Sequence, residues 1–175
     1  VSHQCYTHKM LTGRKEYFLN PDKYLDITGY TAPEESEYDC FKVGHTSTAA
    51  SLACGVAKAR DLNCGKENVI AIVGDGSLSG GEAFEGFDNA ATLNSNIILV
   101  LNDNDMSIAE NFGGIYQNLK LLRETNGQAE CNLFKAMGLD YLYVDDGNDI
   151  DKMIKAFEKV KDINHPIVLH IKTLK

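Results

Sequence analysis

The sequence lacks long apolar runs and an excess of basic residues. No apolar stretch approaches the ~20 residues needed to cross a bilayer, so we expect no membrane-spanning helix. The formal net charge of −8 argues against nucleic acid or an anionic membrane surface as a partner. Internal repeats and low-complexity segments are also absent from the sequence.

Paired cysteines are missing as well. The five cysteines are odd in number and include no Cys-x-x-Cys pair: Cys5, Cys40, Cys54, Cys64 and Cys131. We therefore expect reduced thiols in a cytoplasmic protein, without a disulfide framework or a zinc site. Cys54 falls on the apolar face of a predicted helix and is expected to pack in the core.

Two common nucleotide-binding motifs are absent. The sequence has no Gly-Lys-Ser/Thr, which excludes a Walker P-loop. The string from Gly74 to Ser79 has two of the glycines of a dinucleotide-binding fingerprint but lacks the third.

Apolar runs and helical patterns alternate along the 175 residues. Buried strands are predicted at residues 69–73, 97–101, 141–144 and 167–173, and helices at about 48–62, 82–93 and 149–160. The last helix is predicted to be capped by Asp149 and to bury Ile150, Met153, Ile154, Phe157 and Val160. Residues 16–42 are expected to be irregular with short helices. The alternation predicts one α/β domain with a mostly parallel sheet and helices on both faces.

The most informative stretch is residues 68–107, a predicted strand–helix–strand unit. Its first strand ends in Gly74-Asp75-Gly76, and its second ends in Asn102-Asp103-Asn104. Ligands of open parallel sheets bind at the carboxyl ends of the strands. A carboxylate, an amide oxygen and a backbone carbonyl suit Mg²⁺, and a helix N-terminus favours phosphate. Gly-Asp-Gly alone usually marks a turn, but its pairing with the downstream Asn favours a site for Mg²⁺-bound diphosphate.

Longer strings carry a family resemblance. GDGSLSGGEAFEGFDNAA and LNDNDMSIAEN, flanked by VSHQCYTHKMLTGRK and VGHTSTAASLACGVAKARDL, resemble the 1-deoxy-D-xylulose-5-phosphate synthase family of thiamine diphosphate enzymes. The resemblance runs over nearly the whole chain. Ordinary transketolases share only the GDG string and the downstream Asn.

The resemblance implies a fold and an activity. Residues 1–175 would form the pyrophosphate-binding domain of a longer protein, whose pyrimidine-binding and C-terminal domains are absent. The implied reaction joins pyruvate to glyceraldehyde 3-phosphate with loss of CO₂, in isoprenoid precursor, thiamine and pyridoxal synthesis. The implied cofactors are thiamine diphosphate and Mg²⁺, and the implied assembly is a homodimer.

The resemblance also implies residue roles. Asp75, Asn104 and the Met106 carbonyl would ligate Mg²⁺. The cofactor would be held by His3, Gly44, His45, Thr46, Gly76, Ser77 and Asn104. His3 would act in catalysis near the substrate, and Glu85 would serve catalysis from the dimer interface between two cofactor sites.

Three departures leave alternatives open. Ser2 replaces the usual glycine before His3, and Asn148 stands where the family often has histidine, as a loop residue or a cofactor contact. The chain passes almost directly from Asn118 to Leu133, where the family normally has a long insertion. Two alternatives therefore remain: a subunit or portion of a transketolase-like enzyme that acts on other sugars, and a non-catalytic cofactor-binding module. His170 is expected to be a structural residue of the last strand.

Overall fold

The computed structural model describes residues 4–106 and 110–174. These residues divide into two compact units, residues 1–46 and 47–175. The first unit consists of short helices and irregular segments, and the second contains the sheet. Across the described ranges, no helix is both long enough and apolar enough to span a bilayer.

Short helical segments build the first unit, as its sequence predicts. Helix α1 (Gln4–Lys9) leads through a kinked turn into α2 (Lys15–Leu19), and a 3-10 helix follows at Pro21–Asp26. The kink includes Gly13, whose φ of 91° lies in the left-handed region that glycine adopts without steric cost.

Two buried basic side chains organise the same unit. Lys9 is completely buried and its Nζ donates to Glu35 over 2.6 Å. Arg14 donates to both carboxylate oxygens of Asp39 over 2.6 and 2.8 Å, and His8 bonds to the same carboxylate. The hydrogen bonds from Arg14 hold the pKa of Asp39 well below its usual range. Each buried charge therefore has an opposite partner, without which its burial would be costly.

The second unit alternates strands and helices. Its strands are β1 (Val69–Gly74), β2 (Ile97–Asp103), β3 (Asp140–Val144) and β4 (Ile167–Lys172). Its helices are α3 (Ala49–Leu62), α4 (Gly81–Thr92), α5 (Gly114–Glu124), α6 (Leu133–Ala136) and α7 (Ile150–Val160). A 3-10 turn, Asp75–Ser79, joins β1 to α4. All four strands and three of the helices lie where the sequence pattern predicts them, whereas α5 and α6 fall in a stretch without a sequence-based assignment.

The four strands form one parallel sheet in the order β1-β2-β4-β3. Val69 lies opposite Ile97, and Ile167 lies opposite both Ile98 and Asp140. The two central strands are buried along nearly their whole length, which explains their continuous apolar sequences. The predicted α/β fold with a parallel sheet is confirmed.

Apolar clusters lie on both faces of the sheet. One cluster joins α3, α4, α5 and α6 to the sheet through residues such as Ala53, Phe87, Leu99, Leu122 and Phe134. The other joins α7 to the opposite face through residues such as Ile98, Ala156, Val160 and Leu169. Ile70 and Ile72 of β1 each remain 48% exposed, so the second face is covered less completely at β1.

Helices α3 and α4 cross closely at a glycine. A Cβ on Gly86 would come within 2.8 Å of both Ala50 Cβ and the Ser51 nitrogen. The Cys54 thiol lies at this crossing, 3.5 Å from the Gly86 carbonyl oxygen, and is 3% exposed. Its predicted place in the core is confirmed. The crossing fixes the start of α3 against the helix that follows the Gly-Asp-Gly turn.

The predicted apolar face of α7 is partly wrong. Asp149 caps the helix as expected, accepting hydrogen bonds from the Asp151 and Lys152 nitrogens. Ile150 and Ile154, however, are 71% and 52% exposed. The buried face instead passes through Met153, Ala156, Phe157 and Val160. With 3.6 residues per turn, this face is rotated toward Ala156 and leaves Ile154 on the solvent side.

Candidate functional site

Asp75 and Asn104 lie at the same edge of the sheet. Asp75 opens the turn directly after β1, and Asn104 follows β2 by one residue. The two strands are adjacent and parallel, with Gly74 opposite Asn102. The sheet therefore presents the carboxylate and the amide at its carboxyl edge, where ligands of open parallel sheets bind.

The Asp75 carboxylate is 3% exposed and has two neighbours that the sequence did not single out. Asn111 Nδ2 donates to its Oδ2 over 2.8 Å, and the Tyr116 hydroxyl lies 3.4 Å from the Asp75 main-chain carbonyl oxygen. Burial and the negative charge of Asp103 raise the pKa of Asp75 to about 6. The hydrogen bonds from Asn111 and the Gly76 nitrogen only partly oppose this shift. Asp75 is thus a carboxylate that a bound cation would stabilise.

The turn after Asp75 is shaped for a close backbone approach. Ser79 Oγ donates to the Gly76 carbonyl over 2.9 Å, and Ser47 Oγ donates to the Ser77 carbonyl over 2.9 Å. A Cβ on Gly80 would collide with Ser47 Oγ, so this position requires glycine. The turn leads into the N-terminus of α4, a 12-residue helix.

The backbone around Asn104 is locally constrained. Asn104 Oδ1 accepts a hydrogen bond from the Met106 nitrogen over 3.1 Å. Asp105 has a φ of 63°, which is uncommon for a residue other than glycine. Its nitrogen donates to Asp103 Oδ1 over 3.0 Å. The amide oxygen of Asn104 and the neighbouring Met106 are therefore held in a tight turn beyond the end of β2.

Asp103, which precedes Asn104, is completely buried. Arg123 Nη1 donates to both of its carboxylate oxygens over 2.9 and 2.6 Å, and His170 Nε2 lies 2.8 Å from Oδ2. The Tyr141 hydroxyl lies 2.7 Å from His170 Nδ1. Burial favours the neutral acid, but the hydrogen bonds from His170 and Arg123 hold the pKa of Asp103 below its ordinary value. The prediction that His170 is a structural strand residue is consistent with this position.

The side chains that surround the predicted ligands could not be found by spacing. Asn111, Tyr116 and Arg123 follow the second strand, and His170 comes from the last one. The only sequence signal was the position of Asn111 in the AENFGG string next to NDNDMSI. Neither a helical nor an extended period connects these residues to Asp75 or Asp103, because the contacts are between separate elements.

Four predicted site residues belong to the first unit: His3, Gly44, His45 and Thr46. His3 is not among the described residues. Gly44, His45 and Thr46 are exposed at the end of the first unit, and a Cβ on Gly44 would press against the Tyr30 ring at 3.0 Å. His45 Nδ1 lies 2.6 Å from the Thr46 carbonyl oxygen. Since a carbonyl only accepts, Nδ1 carries a proton.

Glu85 lies on the exposed side of α4. Phe84 beside it is 39% exposed, whereas Phe87 is 1% exposed and packs against Phe134 with ring centroids 5.6 Å apart. Of these two phenylalanines, only Phe84 therefore contributes apolar surface on the outside of α4. The reason is the helical period, which turns Phe87 toward the sheet together with Ala83 and Ala90.

The donor set suits Mg²⁺ with a diphosphate. It offers one carboxylate, one amide oxygen and a carbonyl, which leaves the other positions of an octahedral ion to water and phosphate oxygens. Such an ion would also favour the ionised form of Asp75, whose pKa is raised by burial and by the negative charge of Asp103. Within the described ranges, no three His, Cys, Asp or Glu side chains converge on a metal-sized point, so a zinc-type cluster is not present there.

A solved structure supports the fold. A Mycobacterium smegmatis protein described as a candidate thiamin diphosphate-dependent enzyme superposes on 75% of this chain and 23% of its own, with a TM-score of 0.56. Sequence identity is 17%, so the likeness concerns the fold.

Comparison with related sequences shows that this chain is shorter than its relatives. The alignment to a 1-deoxy-D-xylulose-5-phosphate synthase of Porphyromonas gingivalis runs over 212 residues, although this chain has 175. The family model matches in two segments, residues 1–132 and 125–173. The break falls next to the predicted shortening between Asn118 and Leu133. The relatives therefore carry additional residues that this chain lacks.

The same comparisons establish the family. The matching family model is described as 1-deoxy-D-xylulose-5-phosphate synthase. The Porphyromonas gingivalis relative is 36% identical over all of this chain and 33% of its own length. The synthase of Clostridium beijerinckii is 39% identical, again over all of this chain and 34% of its own length. This chain, which spans about a third of the length of these relatives, belongs to the 1-deoxy-D-xylulose-5-phosphate synthase family.

Proposed function

We propose that the full-length protein joins pyruvate to glyceraldehyde 3-phosphate, releasing CO₂ and forming 1-deoxy-D-xylulose 5-phosphate. The observation that carries the proposal is the placement of Asp75 and Asn104 at one sheet edge of a chain that belongs to the synthase family. The products and substrates are those of the synthase reaction, and the relatives are named for that activity.

The proposed cofactors are thiamine diphosphate and Mg²⁺. Asp75, Asn104 and the Met106 carbonyl would ligate Mg²⁺. Gly76 and Ser77 would hold the diphosphate at the turn before α4, and the family resemblance adds Gly44, His45 and Thr46. Bound thiamine diphosphate supplies the carbon that makes and breaks the substrate bonds, while the protein supplies orientation and electrostatics.

The remaining roles rest on the resemblance. His3 would move a proton at the substrate, and Glu85 would contribute from the interface of a homodimer. Residues 1–175 would be the pyrophosphate-binding domain, and a glutamate of a second domain would complete the catalyst. We expect the protein to work in the cytoplasm, in agreement with its unpaired cysteines.

The shortened segment favours a second candidate, a transketolase-like enzyme with another sugar-phosphate acceptor. The helix that contains Asn118 begins close to the candidate site, since Asn111 and Tyr116 contact Asp75. A change of length there can alter which acceptor fits, without changing the cofactor site.

A product assay of the full-length protein separates the two candidates. Purified protein with thiamine diphosphate and Mg²⁺ is given pyruvate together with glyceraldehyde 3-phosphate, or together with other aldose phosphates. We expect 1-deoxy-D-xylulose 5-phosphate from the first pair. Turnover with another aldose phosphate alone would favour the transketolase-like candidate, and no turnover with any pair would contradict both.

A further inference from the structure

One arginine contacts the carboxylates on both sides of Asn104. Arg123 Nη1 donates to Asp103, and Nη2 lies 2.6 Å from Asp105 Oδ1. The Arg123 side chain is 10% exposed and comes from the last turn of α5. The two arms of the guanidinium therefore connect one completely buried carboxylate to one that is 61% exposed.

The buried end of this arrangement is rigid. Asp103 accepts from Arg123, from the Asp105 nitrogen and from His170. Burial raises the pKa of Tyr141, so its hydroxyl keeps a proton and can donate to His170 Nδ1. His170 Nε2–H then donates to Asp103. Helix α5 and strands β3 and β4 thus converge on the residue before Asn104.

The exposed end holds a strained backbone. Asp105 adopts a positive φ of 63°, a conformation that is uncommon for residues other than glycine. It persists only when surrounding contacts determine it. The contact from Arg123 to the Asp105 side chain, together with the hydrogen bond from its nitrogen to Asp103, provides such contacts.

We propose that Arg123 is a positioning residue of the metal site, and that its two-armed contact with Asp103 and Asp105 fixes the direction of the Asn104 amide and the Met106 carbonyl. Arg123 itself does not touch the metal or the cofactor in this account. The inference rests on the proposed function, since it assumes the Mg²⁺ ligands given above. Lysine cannot replace such an arginine, because an ammonium lacks the planar fork that reaches two carboxylates.

The test measures Mg²⁺ and Ca²⁺ affinity of the full-length protein by calorimetry with saturating thiamine diphosphate. Arg123→Lys keeps the charge next to Asp103 but loses the arm to Asp105. Asp105→Asn weakens the same contact from the exposed side, because an amide oxygen is a poorer acceptor for a guanidinium than a carboxylate oxygen, and it stays informative if Arg123→Lys does not fold. Glu124→Gln is the matched control, since it breaks only the exposed pair with Lys120 on the same helix.

We expect Arg123→Lys to weaken Mg²⁺ binding about tenfold to a hundredfold, as is typical for residues that orient metal ligands. Ca²⁺ binding changes less, because Ca²⁺ accepts flexible geometry and Mg²⁺ demands a near-ideal octahedron. The double variant Arg123→Lys, Asp105→Asn is expected to bind Mg²⁺ as weakly as the Arg123→Lys variant does, since both changes act on the same contact. Losses of Mg²⁺ affinity that add up in the double variant, or an unchanged Mg²⁺ affinity in Arg123→Lys, would show that Asp105 acts through its charge and would overturn the proposal.

The experiment separates a failure of the proposed metal site from a failure of the proposed role of Arg123. If wild type does not bind Mg²⁺ with thiamine diphosphate, or if Asp75→Asn binds as wild type does, both the proposed site and this inference are overturned. If wild type binds and Asp75→Asn does not, but Arg123→Lys matches wild type in Mg²⁺ affinity and Mg²⁺/Ca²⁺ preference, only the role of Arg123 is overturned.

Discussion

The Asn111 amide donates a hydrogen bond of 2.8 Å to the carboxylate of Asp75, although the two residues lie 36 positions apart in the sequence. This contact connects the segment after β2 to the turn after β1. An amide donor stabilises the ionised form of a carboxylate and fixes the direction of its oxygens. In the proposed site, Asn111 would thereby orient Asp75 as a metal ligand.

We expect Asn111→Leu to weaken Mg²⁺ binding by about tenfold to a hundredfold, the usual effect of removing a partner that orients a ligand. The leucine has a similar shape but donates no hydrogen bond to Asp75. Calorimetry on the full-length protein checks this, with Gln128→Leu, an exposed polar residue replaced in the same way, as the control. Equal Mg²⁺ affinity in the two variants would mean that Asn111 does not orient Asp75.

Asp75→Asn is expected to stabilise the metal-free protein at neutral pH. The folded pKa of about 6 lies above the ordinary value of 3.8 for an aspartate, so the folded protein binds this proton more tightly than the unfolded chain does. The stabilisation from the bound proton is complete below pH 3.8 and is lost as pH rises through about 6. At neutral pH the ionised side chain then costs on the order of 3 kcal/mol, which an asparagine avoids.

Thermal melts without metal at pH 4 and pH 7.5 measure this effect. We expect the variant to exceed wild type at pH 7.5 and the difference to shrink toward zero at the lower pH. Asp88→Asn, an exposed carboxylate on α4, serves as the control and should show no such difference. A variant less stable than wild type at pH 7.5 would contradict the raised pKa of Asp75, and with it the cost of burying its charge beside Asp103.

His3→Ala is expected to lower turnover of the full-length enzyme far more than it lowers cofactor affinity. A histidine that moves a proton at the reacting centre contributes ~10²–10⁴-fold to the rate. The control is His165→Ala, since His165 pairs with exposed Asp140 at the amino end of the sheet. Turnover within a few-fold of wild type for His3→Ala would remove His3 from the catalytic residues.

Glu85→Lys is expected to shift the full-length protein from dimer toward monomer and to reduce its activity. Glu85 is exposed on α4 beside the partly exposed Phe84, and in a two-fold contact one substitution acts twice. Sedimentation of wild type and variant measures the shift, with Glu158→Lys on α7 as the control. A monomeric wild type, or a variant dimer of unchanged affinity, would place the interface elsewhere.

The elements with a clear hydrophobic pattern and clear boundary residues could be predicted from the sequence. The strands beginning at Val69, Ile97 and Ile167 are short apolar runs bounded by polar residues, and the Gly-Asp-Gly turn marks the end of the first. These features also locate Asp75 and Asn104, because the carboxyl ends of neighbouring parallel strands share an edge. The family strings added the chemistry expected there.

Other features depend on tertiary contacts that no local pattern encodes. The exposure of Ile154 follows from where α7 sits on the sheet, not from its own periodicity. The group of Asp103, Arg123, His170 and Tyr141 joins residues from four elements. From the sequence, His170 taken by itself looks like an ordinary strand residue. Helix α5, which supplies Arg123, has an amphipathic sequence, but its contact with Asp103 depends on how the helix packs against the sheet.

The position of the bound metal tests the proposed site at Asp75 and Asn104. The full-length protein is crystallised with thiamine diphosphate and Mn²⁺ in place of Mg²⁺, and anomalous scattering identifies the ion. We expect one ion within about 2.5 Å of the Asp75 carboxylate, the Asn104 amide oxygen and the Met106 carbonyl, a distance typical of such ligands. A bound cofactor whose metal lies away from Asp75 and Asn104 would contradict the proposed metal site.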